Sequence, residues 1–105
     1  MRDRTFKSLL TRYEHNPVFA PEEFPWCSAD QVFNPGQVMT PDGRTILLVA
    51  VMPRNEKYAR CHVAESTDGI HFTIREEPIF EVDEQRRFGN LDFHPIDCRV
   101  TWFPE

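Results

Sequence analysis

The sequence predicts an all-β chain organised on one antiparallel meander, and three observations carry that prediction. Asp42-Gly43 and Asp68-Gly69 each separate two apolar runs, and glycine supplies the positive φ that tight turns need without steric cost. Residues 61–72 read as strand, turn, strand: Val63 follows Cys61 at period two, and Phe72 and Ile74 repeat that spacing beyond the turn, which suits half-buried strands. The chain also holds nine Phe and nine Pro, aromatics belonging to strands and prolines to their connections. Three turns and four strand-like runs fall between Val32 and Ile74. A four-stranded meander of that length is the size of one propeller blade.

Taken in order, residues 1–31 form an N-terminal helix and an extended lead-in. Phe6, Leu9, Leu10 and Tyr13 recur at helical spacing behind Asp3, a candidate N-cap, which predicts a short amphipathic helix over residues 4–12 lying across the end of the sheet. Pro17, Pro21 and Pro25 then exclude both a longer helix and a central strand. That stretch is read as extended, anchored by Val18, Phe19, Phe24 and Trp26.

The blade itself is assigned to residues 32–75. Its first run contains Asn34-Pro35-Gly36, where proline offers no ladder donor and glycine no side chain to pack, so a bulge or an open strand end is expected. The second run, Ile46 to Met52, is continuously apolar, and a polar loop follows it. Residues 76–105 are a charged connection and then a β-branched run over 96–102, read as the first strand of a second blade without its partner hairpin. An unpaired strand of this kind is an association hazard. It predicts a homo-oligomer.

Composition narrows the function classes. The formal net charge is −5, with acids and bases interspersed, which argues against a nucleic-acid surface. The first residues carry no apolar signal region, and nowhere is there an apolar run long enough to span a bilayer. A cytoplasmic protein without a membrane partner is the expectation. Cys27, Cys61 and Cys98 are odd in number and widely spaced, so neither a disulfide framework nor a zinc site is indicated. They read as buried free thiols. His15, His62, His71 and His94 show no paired spacing and read as satisfied or exposed histidines rather than metal ligands. Trp26, Phe93 and Trp102 read as core aromatics before sugar-stacking ones, and Glu14, Glu22, Glu23, Glu76 and Glu77 as solvated faces.

Four motifs in order then suggest a family. Arg12-Tyr13-Glu14 with Asn16-Pro17-Val18, Val32-Phe33-Asn34-Pro35-Gly36 with Val38, Ala64-Glu65-Ser66 with Asp68-Gly69-Ile70-His71-Phe72, and Asp97 with Arg99-Val100-Thr101 together resemble the N-terminal part of glycoside hydrolase family 130. The resemblance implies a partial five-bladed β-propeller and a carbohydrate-active protein related to inverting β-mannoside phosphorylases and hydrolases. It implies that Asp97 is the catalytic acid and that Asn34 and Arg99 bind substrate, a mannoside or related oligosaccharide. It implies no cofactor, with inorganic phosphate as co-substrate in the phosphorylases. Read without the resemblance, Asp97 is an acid at a strand start and Asn34 is ordinary turn chemistry.

The residue types fit the reaction. Displacement at a glycosidic carbon needs a proton for the leaving oxygen and a nucleophile on the opposite face. A phosphorylase holds phosphate with cations, for which the planar fork of Arg is suited. This chain departs from the family where such an Arg is expected, since Val51, or Ala50 with a one-residue shift, stands there. Cys98 replaces the Pro or Met between the motif's Asp and Arg. The expectation is therefore a carbohydrate-active chain that is inactive or incomplete by itself, phosphorolysis included. The alternative is a non-catalytic β module that binds carbohydrate or protein and self-associates through its open edge.

Overall fold

A computed structural model describes residues 7–79 and 94–104. Four strands, β1 (Ala29–Met39), β2 (Thr45–Pro53), β3 (Arg60–Ser66) and β4 (Thr73–Pro78), form one antiparallel sheet in the order β1-β2-β3-β4. Each strand pairs with its neighbour in the chain, so this is the meander that the turn spacing predicts. Between β1 and β2, Thr40 N donates to Arg44 O at 2.8 Å and Gly43 takes φ +85°. A side chain at Gly43 would be strained there.

The Asp68-Gly69 turn is longer than a tight hairpin. β3 ends at Ser66 and β4 begins only at Thr73. The carboxylate of Asp68 accepts hydrogen bonds from the backbone N–H of Ile70 and of His71, both at 2.8 Å, and from Ser66 Oγ at 2.8 Å. Those two N–H groups are thereby held in the turn, and the ladder starts further on. His71 sits in this loop, its Nδ1 2.7 Å from Asp68 Oδ2. That contact leads a set of hydrogen bonds that hold the Asp68 carboxyl far below its ordinary value.

The sheet is covered on both faces, which explains why β2 reads as an unbroken apolar run. Leu47, Val49, Val51 and Ala64 share one face and form a core cluster with Phe24. Ala50, Cys61 and Val63 lie on the other, and they too are buried. β3 is therefore a central strand with four consecutive buried residues, 61–64, rather than the half-buried strand that the alternation predicts. Period two shows only which residues share a face, not whether the second face is also dry.

Phe24 seals the first face, with no exposed surface and aromatic contacts to Phe19, Trp26 and His62. It is delivered there by two one-turn 3₁₀ helices, Pro21–Glu23 and Pro25–Cys27. The lead-in is thus not extended throughout, because a proline at the first position of a helical turn is favourable rather than disruptive.

The predicted N-terminal helix is not formed over residues 7–12, and its first residues lie outside the described ones. Leu9 and Leu10 are 98% and 85% exposed. An amphipathic turn without a surface for its apolar face has nothing to offset the entropy of ordering it. Residues 96–102 likewise form no strand. Asp97 has φ +55°, outside the β region, and the segment lies as a strap across the face that carries Cys61 instead of continuing a ladder.

His62 is buried between the sheet and the rings of Phe24 and Trp26. Its Nδ1 is 3.0 Å from the carbonyl of Arg75, which can only accept, so Nδ1 carries the proton and Nε2 is buried with no partner among the described residues. Burial pushes its pKa below the usual 6.5. The unfolded chain then binds this proton before the folded one does, so stability falls as pH drops below about 6.5 and is fully retained above it. Urea unfolding at about pH 7.5 and pH 5.5 checks this, together with the ring titration of His62 followed by NMR. A ring that protonates at or above its ordinary value would contradict it.

Candidate functional site

The strap and β1 meet at the residues that the motifs single out. Between the pairs Phe33–Ala50 and Gly36–Leu48, β1 holds two residues, Asn34 and Pro35, against the single Val49 of β2. This is the bulge that Asn-Pro-Gly predicts. Pro35 is tolerated because β1 lies at the sheet edge, and Asn34 takes φ +44°, a conformation that Asn accepts more readily than most residues. The bulge re-aims the Asn34 side chain toward the strap, where its Nδ2 donates to Asp97 Oδ1 at 2.6 Å.

Three further contacts position the strap. A Cβ on Gly36 would collide with the carbonyl oxygen of Cys98 and stand 2.9 Å from its carbonyl carbon, so only glycine lets the two backbones approach this closely. The Cys98 and Cys61 sulfurs are 3.5 Å apart. At the start of the strap, Ala59 N donates to His94 Nδ1 at 3.0 Å. The sequence pattern singles out neither Gly36 as a seat for the strap nor the Cys61–Cys98 contact, since the latter spans 37 positions without a motif.

Of the three predicted site residues, the structure brings Asn34 and Asp97 together and leaves Arg99 apart. Asn34, Asp97 and Arg99 are all exposed. Among the described residues Arg99 makes no hydrogen bond or ion pair, and Asp97 accepts only from Asn34. No described residue donates to the second carboxylate oxygen of Asp97, which can accept from a hydroxyl or a water. An exposed carboxylate beside a carboxamide presents acceptors and a second amide proton in one place, a set that suits a polyhydroxyl ligand.

Val51 and Ala50 are both fully buried, so no charge is presented from that place on β2. A cleft of about 580 Å³ opens between the lead-in and the sheet, and its lining includes Arg12, Asn16, Phe19 and Leu47 together with Phe33 and Pro35, the two neighbours of Asn34. None of Asn34, Asp97 and Arg99 lines it. Trp26 packs against Phe24 and His62, while Trp102 is half exposed. Phe93 lies outside the described residues. No three described His, Cys, Asp or Glu side chains gather as metal ligands, and no described helix is long and apolar enough to cross a membrane.

Solved structures resemble this fold. A glycosyl hydrolase from Bacteroides ovatus is similar over 87% of this chain, with a TM-score of 0.62 and 25% sequence identity. A structure from the GH130 family of mannoside phosphorylases, which contains glycoside hydrolases that target β-1,2 mannosidic linkages in Candida mannan, is similar over 87% of this chain, with a TM-score of 0.60 and 24% identity. The chain shares its fold with part of these enzymes. The resemblance to glycoside hydrolase family 130 carried by the four motifs thus has a counterpart in three dimensions. The chain covers 29% of the length of each of these two proteins. No protein-family model and no curated protein matches it.

Proposed function

We propose that this chain is a carbohydrate-active blade, contributing Asn34 and Asp97 to a site for mannosides or related oligosaccharides. The observation that carries the reading is the 2.6 Å hydrogen bond between Asn34 and Asp97. Two residues 63 positions apart, chosen by a glycosidase resemblance, meet at one exposed edge of the sheet. Asp97 is the candidate acid, delivering a proton to the leaving oxygen while the nucleophile approaches the other face of the sugar. Asn34 orients that carboxylate and offers its second amide proton to a sugar hydroxyl. Arg99 is exposed and, among the described residues, makes no ion pair, which suits it to a ligand oxygen or a charged co-substrate.

Phosphorolysis by this chain alone is not part of the proposal. Phosphate needs concentrated positive charge, and the uncharged, buried Ala50 and Val51 offer none where the family would place an Arg. Neutral sugar contacts do not depend on that charge. Titrating mannobiose while following the backbone amide shifts of Asn34 and Asp97 tests the reading. Both amides are expected to move together and saturate in the millimolar range, roughly the affinity of a small open site. Asp97→Asn, which keeps the shape but not the charge, is expected to weaken binding by about tenfold, the worth of one charge-assisted hydrogen bond. Unmoved amides at saturating sugar would reject the proposal.

A second reading is favoured by the surface. Trp102 and Phe103 near the end of the strap are 50% and 81% exposed, and β1 and β4 are the outer strands of the described sheet. Self-association through these elements is expected, giving a dimer or larger assembly in sedimentation at tens of micromolar, roughly where weak edges associate. A clean monomer there would rule it out.

A further inference from the structure

We propose that Cys61 and Cys98 form a reversible redox pair, closed by low-molecular-weight disulfides into an intramolecular bond that ties the strap, and Asp97 with it, to the sheet. The two sulfurs already lie 3.5 Å apart, one on β3 and one on the strap. Forming the bond requires an approach of roughly 1.5 Å to reach disulfide length. The strap is held in place by contacts that do not involve sulfur: Asn34 to Asp97, Ala59 to His94, and the close seat of Cys98 on Gly36. The closure therefore starts from an ordered pair rather than from two distant thiols. Cys27 does not compete, because it packs beside the Phe24 cluster on the other face, with its Sγ directed to the Phe24 carbonyl at 3.5 Å.

The two thiols have different roles. Cys61 is fully buried, whereas Cys98 is partly exposed. Cys98 therefore meets the reagent first. Its thiolate attacks one sulfur of the small disulfide, whose S–S bond breaks, and the departing thiolate takes up the proton that Cys98 lost. The product is a mixed disulfide on Cys98. Cys61 then gives up its proton and its thiolate attacks the Cys98 sulfur, whose bond to the small-molecule sulfur breaks; the second small thiolate departs and takes up a proton in place of the one Cys61 lost. Two cysteine thiols and one disulfide become one protein disulfide and two small thiols, and two electrons pass to the reagent. Burial, together with the hydrogen-bonded Cys98 thiol, pushes Cys61 up to about 12, so the second step is slow at neutral pH and quickens as pH rises.

The consequence lies in the sequence around Cys98. It stands between Asp97 and Arg99, so the bond anchors the segment that carries both candidate site residues. The bond itself does not depend on the sugar reading; only its effect on sugar binding does.

The experiment uses the full chain and glutathione disulfide, followed by acid quench, alkylation in denaturant and peptide mapping. Alkylatable thiols are expected to fall from three to Cys27 alone, with residues 61 and 98 in one cross-linked peptide that dithiothreitol separates. Hydrogen exchange of the amides at residues 97–100 is expected to slow by roughly tenfold, as local opening is suppressed. Cys61→Ser is expected to stop at a glutathione adduct on Cys98, and Cys98→Ser to leave Cys61 unreacted. Cys27→Ser keeps the pair and must still close, which secures the test if a buried variant fails to fold. Cross-links between chains, a bond to Cys27, a lasting adduct on Cys98 with Cys61 still free, or three unreacted thiols would each overturn the proposal. Repeating the mannobiose titration on the oxidised chain separates the two claims: a closed bond with no response to sugar removes the sugar reading and leaves the redox pair standing.

Discussion

Phe24→Ala is expected to cost about 3–5 kcal/mol, the usual range for emptying a fully buried aromatic position. Typical domains have only about 5–15 kcal/mol in total, so this one change should bring the chain close to its unfolding threshold at room temperature. The size of the effect follows from the position. Phe24 has no exposed surface, and its ring meets Phe19 at 5.9 Å, Trp26 at 5.5 Å and His62 at 6.3 Å between centroids. It is also the side chain by which the two proline-led turns close over Leu47, Val49, Val51 and Ala64. Removing the ring opens a void beside the His62 imidazole and loosens the lead-in as well. Urea unfolding is the measurement. Phe24→Leu, which retains much of the apolar volume, is expected to lose only about 1–2 kcal/mol. Equal costs for the two variants would show that filling the space is not what Phe24 does.

Gly36→Ala is the second large effect, and it acts through the strap. A methyl group there meets the Cys98 carbonyl on one side and Val100 Cγ2 at 3.2 Å on the other. Backbone cannot rotate away as a side-chain end can, so the strap must lift or β1 must shift. Overpacking of this kind costs about 1–3 kcal/mol. The more telling result is local. The Asn34–Asp97 hydrogen bond and the Cys61–Cys98 contact both depend on the same seat. The variant is therefore expected to shift the amide signals of residues 94–104 and to slow closure of the cysteine pair, while the sheet persists. Gly43→Ala is the control. It has open space around the added carbon but a φ of +85°, so it should cost about 1 kcal/mol of backbone strain and leave the strap signals alone. A Gly36→Ala protein with unchanged strap signals would mean that the close approach does not govern the site.

The meander was legible in the sequence because its determinants are local. Gly43 supplies the positive φ of one turn, Asp68 and Gly69 organise another, and the apolar run of β2 needs a strand buried on both faces. The bulge at Asn34-Pro35 was legible for the same reason, since proline lacks a donor whatever surrounds it. Asn34 and Asp97 could be singled out by motif, but their meeting could not, because a hydrogen bond across 63 residues depends on where the strap lies. Helical spacing at Leu9 and Leu10 misled, because periodicity describes a face and not whether a surface exists to cover it. The β-branched run at residues 96–102 misled similarly: a strand is a relation to a partner, and here the sheet face, not a sheet edge, received the segment. Tertiary structure alone decided the seat of Cys98 on Gly36, the proximity of Cys98 to Cys61, and the buried Nε2 of His62. Each is a contact between segments far apart in the chain, where close packing and exclusion of water, not local propensity, set the outcome.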